Sequence, residues 1–280
     1  MPARSASFLT IGPRSFVWGE RTYLMGVINV SPESFSGDGV AEVEAAVALA
    51  RRFAEEGADL LDVGGQSTRP DFDELSPDEE TRRVVPVIER LVAEVDVPVS
   101  IDTYKLPVAR AALAAGAHLL NDIWGFRQEP YLADLCVEFD VPAVVMHNQR
   151  GREHHDVIGD IKAGLLESTA IAERAGLARE RLIADPGFGF GWSEEQNLEL
   201  LRRLGELRDL GLPLLIGTSR KSTIGAVLDG APVERRLAGT AATVAIAIAN
   251  GADVVRMHDV AEMRDAARVA DAVVRGWTKR

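Results

Sequence analysis

Short apolar runs along the chain alternate with longer stretches whose apolar residues recur at helical spacing. The runs fall at residues 23–29, 60–63, 98–102, 118–121, 143–147, 182–185, 214–217 and 253–257. The helical stretches fall at 42–56, 77–94, 106–115, 131–139, 160–175, 194–207, 234–250 and 261–275. One junction recurs: Glu56-Gly57-Ala58-Asp59, Ala115-Gly116-Ala117-His118 and Asn250-Gly251-Ala252-Asp253 each place a glycine between a helix and a strand. A glycine there reads as the left-handed residue that ends a helix. Continuous apolar runs bounded in this way are the mark of parallel strands buried on both faces. Eight strands, each followed by a helix, predict an α/β fold of the (β/α)8 TIM barrel type, with an open doubly wound sheet as the competing architecture. No GxGxxG or GxxxxGK[ST] loop supports a nucleotide-binding version of that competitor. Before the first strand, residues 8–21 alternate as a β-hairpin around Gly12-Pro13 and Gly19-Glu20, placed to close the bottom of the barrel. No linker or low-complexity stretch interrupts the chain, so residues 1–280 are expected to form a single domain.

Composition narrows the function classes. The 280 residues are 46% hydrophobic and 26% charged, and 31 lysines and arginines face 43 acids for a formal charge of −12. That balance argues against a general nucleic-acid binder, which needs a basic face. The single cysteine, Cys136, excludes an intrachain disulfide and a CxxC zinc cluster. No run approaches the roughly 18 apolar residues of a membrane span, and residues 1–15 lack the apolar centre of a secretory signal. A soluble cytoplasmic protein is the expectation.

In a barrel, residues at the carboxyl ends of the strands converge on one mouth. Here they are Asn29, Asp62, Asp102, Asn121, His147 and Asp185, then Ser219-Arg220-Lys221, Arg256 and His258. Amides and carboxylates together supply donors and acceptors for the edge of a polar heterocycle. Lys221, Arg256, His258 and Arg69 suit a phosphate or pyrophosphate. The glycines of Gly187-Phe-Gly-Phe-Gly191 are expected to let main chain approach a ligand closely. The Glu153-His154-His155-Asp156 cluster lacks a third well-spaced metal ligand and reads as solvated surface. His147 suits either a functional or a structural role. Two long polar connections, 31–39 and 64–77, follow the first two strands and are expected to be substrate loops.

Seven ordered motifs carry a resemblance. They are Met25-Gly-Val-Ile-Asn-Val-Ser-Pro-Glu-Ser-Phe-Ser36, Asp62-Val-Gly-Gly-Gln-Ser-Thr-Arg-Pro70, Ser100-Ile-Asp-Thr103, Asn121-Asp-Ile123, Asp185-Pro-Gly-Phe-Gly-Phe190, Ser219-Arg-Lys-Ser222 and Arg256-Met-His-Asp-Val260. Over essentially its whole length the chain resembles the dihydropteroate synthases. The resemblance implies a pterin-binding barrel that joins p-aminobenzoate to 6-hydroxymethyl-7,8-dihydropterin pyrophosphate. It implies pterin binding by Asp102, Asn121, Asp185 and Lys221, and pyrophosphate binding by Thr68, Arg69, Arg256 and His258. Ser222 and Lys221 would border p-aminobenzoate, and Asn29 would meet a Mg²⁺ carried by the pyrophosphate.

In that family the C–O bond breaks before the amine attacks, so Asp38, Lys221 and Arg69 are the implied catalytic residues, Asp38 as a carboxylate facing the cation. The competing enzyme reading, a methyltransferase using methyltetrahydrofolate, would share the pterin pocket but not need Ser219-Arg-Lys-Ser222 with Arg256 and His258. A non-enzymatic pterin-binding subunit would be expected to lose those anion-binding residues. Four positions depart from the common pattern: Glu33 for Asp, Gln66 for Glu, Asp71 for Gly, and Gly37-Asp38-Gly39 for Asp-Gly-Gly. They bear on the loops. Residues 237–249 are small and apolar nearly all round, and the family pairs through this part of the barrel, so a homodimer is expected.

Overall fold

In the computed structural model, residues 8–30, 39–66 and 75–277 are described. The chain opens with an antiparallel hairpin of β1 (Phe8–Ile11) and β2 (Arg14–Val17). The barrel strands are β3 (Tyr23–Asn29), β4 (Leu60–Gly64), β5 (Val99–Asp102), β6 (Leu119–Asp122), β7 (Ala143–Met146), β8 (Leu182–Asp185), β9 (Leu215–Ile216) and β10 (Val254–Met257). Neighbours pair in parallel in the order β8-β7-β6-β5-β4-β3-β10-β9. A single parallel bridge between Ala184 and Leu214 joins β8 to the β9 segment. With that bridge the expected barrel is closed.

The helices around it are α1 (Gly39–Glu56), α2 (Pro77–Glu94), α3 (Leu106–Ala114), α4 (Tyr131–Glu138), α5 (Val157–Ala175), α6 (Glu194–Arg203), α7 (Ser222–Val227), α8 (Leu237–Ala249) and α9 (Val260–Arg275). Gly57, Gly116 and Gly251 carry φ of +99°, +101° and +100°, the left-handed conformation that the repeated junction predicts. Asp156 caps α5 by accepting from the Gly159 N–H at 2.7 Å, so that helix begins three residues before the periodicity does. The stretch 194–207 is not one helix: α6 passes into a 3-10 segment over Leu204–Leu210. The stretch 234–250 is also divided, because Arg236 leaves helical geometry and its guanidinium binds the carbonyls of Ala231 and Arg220. Helix α7 has only six residues, too few to show an apolar period.

The core has two layers. Outward-facing strand residues such as Leu24, Ile28, Val63 and Ile101 pack beneath the helices. Inside the barrel, Tyr23, Met25, Leu60, Leu119, Leu215 and Val254 form one cluster with Leu9, Ile11, Phe16 and Trp18 of the hairpin segment. Five of these six barrel residues open their strands, so the hairpin seals the amino-terminal end, as its alternation predicts. Tyr23 locks it: its ring lies 4.7 Å from Phe16, and its hydroxyl accepts from the Val17 N–H at 2.7 Å. Gly12, at the hairpin turn, lies so close to the His118 ring that a Cβ there would collide with it. With one end plugged, the polar strand ends share the other.

One buried ion pair ties the second connection to the barrel. Lys105, just before α3, donates to Glu80 Oε2 at 2.8 Å, Gln66 Oε1 at 2.6 Å and the Leu75 carbonyl at 2.6 Å. The lysine and glutamate side chains are only 7% and 2% exposed. Three acceptors meet the three donors of the ammonium. Lys105→Met would leave Glu80 buried and unpaired, a loss expected to cost about 3 kcal/mol or more. Urea unfolding should show this, and the double variant Lys105→Met with Glu80→Met should recover most of it.

Candidate active site

Parallel pairing brings the strand ends into register. Asp102 lies opposite Asn121 across β5 and β6, and Met146 opposite Asp185 across β7 and β8. Asn121 and Arg256 meet directly at Asp62, the middle residue of β4, and Arg256 carries the contact on to Asp102. Asp62 Oδ2 accepts from Asn121 Nδ2 at 3.0 Å and from Arg256 Nε at 2.6 Å. The Arg256 Nη2 donates to Asp102 Oδ2 at 2.6 Å. Burial works against the charge on Arg256, but the two carboxylates outweigh it and raise its pKa. Burial also pushes Asp102 up to about 7; Arg256 opposes this shift and Asp62 adds to it. Burial favours the neutral form of Asp102 and Arg256 the ionised one, and toward Nη2 Asp102 is an acceptor.

Asp185 and Lys221 form the second part of the site. Burial raises the Asp185 pKa, while the Gly187 N–H, 2.8 Å from its Oδ1, and the Lys221 charge pull it down. Burial lowers Lys221 to about 7 against the attraction of Asp185. The Lys221 ammonium donates to the Phe188 carbonyl and stands 4.5 Å from the centroid of the Phe190 ring. Phe188 and Phe190 are therefore site residues that the polar strand ends alone do not reveal. Their signal lies in the Asp185-Pro-Gly-Phe-Gly-Phe190 motif itself. The glycines of this stretch also admit close approach by the protein's own groups. A Cβ on Gly187 would strike the His147 carbonyl, and one on Gly189 would lie 2.8 Å from Lys221 Cδ. Gly189 thus seats Lys221, and Gly187 seats the chain that carries His147.

At the end of β10, His258 Nδ1 lies 3.0 Å from Ser219 Oγ, which also accepts the His258 N–H at 3.2 Å. Arg220, between Ser219 and Lys221, has φ +58° and pairs with Asp259, so its charge is committed outside the cluster. Ser222 is the exposed first residue of α7, next to Lys221. Asn29 is the exposed last residue of β3. His147 is structural: it is fully buried, its Nε2 is 2.8 Å from Gln149 Oε1, and its ring stacks on Trp192 at 5.7 Å. Burial lowers it to about 4, so it is neutral at physiological pH. His154 and the His155 N–H turn to Asp160 while Asp156 caps α5, as expected for solvated surface. Among the described residues, no three His, Cys, Asp or Glu side chains converge to hold a metal. Asp38, Thr68 and Arg69, with Glu33 and Asp71, lie outside the described residues.

The chain is similar to known proteins over nearly its whole length. The family described as pterin binding enzyme matches residues 25–258. The dihydropteroate synthase of Clostridium beijerinckii is 46% identical over 269 residues, spanning 95% of this chain and 100% of that protein. The Xanthomonas albilineans dihydropteroate synthase, solved with 4-aminobenzoic acid, has a TM-score of 0.90 at 45% identity and covers 96% of this chain and 98% of that one. The same enzyme in complex with 7,8-dihydropteroate has a TM-score of 0.83 at 45% identity, covering 91% and 94%. With a closed barrel, polar strand ends and this similarity over nearly its full length, the chain belongs to the pterin binding enzyme family, among its dihydropteroate synthases.

Proposed function

We infer that the protein condenses 6-hydroxymethyl-7,8-dihydropterin pyrophosphate with p-aminobenzoate, giving 7,8-dihydropteroate and pyrophosphate. The observation that carries this reading is the joining of two kinds of chemistry at one barrel mouth. Asp102, Asn121, Asp185 and Lys221 offer the mixed donors and acceptors that a pterin edge requires. Arg256 and His258 continue that cluster as an anion site. The relatives solved with 4-aminobenzoic acid and with 7,8-dihydropteroate support it.

In this proposal the bond between the pterin methylene and the diphosphate oxygen breaks first, and the electron pair leaves with the diphosphate. Arg256 and His258, joined by Thr68 and Arg69, hold the charge that develops there, an interaction stronger in the transition state than before it. The p-aminobenzoate nitrogen then bonds to the methylene and releases a proton. The Phe190 ring, with the Lys221 and Arg150 cations over it, offers an aromatic surface to that amine, and Ser222 follows Lys221 at the start of α7. Asp38 is assigned as the carboxylate facing the methylene cation. Mg²⁺ is assigned to Asn29, whose single amide oxygen fits a metal that arrives on a diphosphate and keeps most of its water. When bound, Mg²⁺ would supply further charge neutralisation of the leaving group.

A homodimer and a cytoplasmic setting belong to the same proposal. Helix α8 buries Thr240, Val244, Ala247 and Ile248 against the barrel but leaves Ile246 48% exposed. On α9, Val269 and Val273 are 67% and 80% exposed, and both line a groove with Ala245 and Ala249 of α8. An apolar face of this kind suits a second copy packed about a twofold axis. Among the described residues no helix is long and apolar enough to cross a membrane. Cys136 is a buried free thiol, as a reducing compartment permits.

Purified protein should release pyrophosphate and form dihydropteroate only with both substrates and a divalent cation present. Absence of product across a range of pH and metals would overturn the reading. Lys221→Ala should cut turnover at least about tenfold, equivalent to ~1.4 kcal/mol. Because burial holds Lys221 near 7 and a pterin acceptor beside it would favour the charged form, pterin-pyrophosphate binding above pH 7 should take up protons. Calorimetry in buffers of different ionisation enthalpy measures that uptake, and the alanine variant should lose it. Light scattering at micromolar concentration should give twice the 30.3 kDa chain mass.

A further inference from the structure

Asp62 has no part in the assignments above, yet one of its oxygens holds a residue from each half of the site. We propose that Asp62 is a positioning residue that sets both the amide orientation of Asn121 and the plane of the Arg256 guanidinium, and so aligns the pterin-reading and anion-reading groups with each other. The inference rests on the proposed reading of the site.

Three observations carry it. First, Asp62 is fully buried on β4, and its Oδ2 faces Asn121 Nδ2 at 3.0 Å. A carboxylate only accepts, so the amide atom it faces must be the nitrogen. An amide free to rotate can present either polarity to a heterocycle. Pinned by Asp62, Asn121 keeps its oxygen and its second N–H available in a fixed arrangement. Second, the same Oδ2 takes Arg256 Nε at 2.6 Å while Asp102 takes Nη2, also at 2.6 Å. Two bonds from a planar fork fix its plane and leave the Nη1 end unclaimed by either carboxylate. Third, Asp62 Oδ1 is buried without a hydrogen-bond partner among the described residues. An aspartate kept only to brace the barrel would gain from using both oxygens, because an unmade hydrogen bond is costly in the interior. Here the second oxygen is left unused while the first serves two site residues.

Asparagine at this position keeps the shape but brings a donor and removes the charge. The test uses two separate probes on the full chain: 6-hydroxymethyl-7,8-dihydropterin, which carries no phosphate, and inorganic pyrophosphate with Mg²⁺. Asp62→Asn should weaken both by at least about fivefold, and Asp62→Glu should retain more of each affinity. In an Asn121→Ala background the effect of Asp62→Asn on the pterin probe should largely vanish, while its effect on pyrophosphate persists. Unchanged binding of both probes, or an undiminished pterin effect without the Asn121 amide, overturns the proposal. Should the asparagine variant not fold, the parent gives the second readout: the Asn121 side-chain N–H must exchange slowly with solvent, and fast exchange overturns the proposal. A parent protein that binds neither probe counts against the reading of the site. A parent that binds both, with an indifferent variant, counts against Asp62 alone.

Discussion

A guanidinium held between two buried carboxylates is the interaction around which the mouth of this barrel is arranged. Arg256 comes from β10, Asp62 from β4 and Asp102 from β5, so the contact reaches across β3 and ties together four neighbouring strands of the barrel wall. Removing any one of the three would leave charge in a poorly solvated place, the costly way to disturb a buried ion pair. The fold therefore has to keep the set intact. Asn121 completes it by donating to the carboxylate that Arg256 already uses.

The titrating groups show what such a mouth demands. Burial drives Asp102 up to about 7 and Lys221 down to about 7, each toward its neutral form. Neither shift helps the isolated fold, since the ionised forms are the ones disfavoured. Stability comes from elsewhere: from the plugged amino-terminal end, from the apolar layer under the helices, and from polar clusters such as Lys105 with Glu80. Gln66 has a particular place in that last cluster. A glutamate, common in the family at this position, would put a second carboxylate against one lysine. The neutral amide accepts from Lys105 and from the Leu75 N–H without adding charge, and donates to the Tyr104 hydroxyl at 3.1 Å.

Much of this was legible in the residues, for identifiable reasons. Strands buried on both faces write themselves as continuous apolar runs, and the left-handed glycines at 57, 116 and 251 mark where helices end. The polar strand ends located the mouth because barrel geometry permits only one place for them. What stayed hidden depends on contacts between distant segments. Nothing local says that Arg220 turns to Asp259 while Lys221 turns to Phe188, or that His147 is sealed against Trp192. The division at Arg236 and the short α7 arise from hydrogen bonds across that same turn. Asp62 shows its role only through its partners, one 59 and the other 194 residues away along the chain.

The hairpin that closes the barrel also bears on how the chain reaches its fold. Its apolar face, Leu9, Ile11, Phe16 and Trp18, packs against residues drawn from strands along the whole chain, ending with Val254 on β10. During synthesis these residues precede every strand they pack against, and their seat is not complete until Val254 has followed. A face of that kind must stay solvated, shielded or loosely held while the ring assembles, since contacts between distant segments form late and slowly. Docking the hairpin thus records that closure has occurred: the segment ahead of the barrel is fully seated only when β10 is in place.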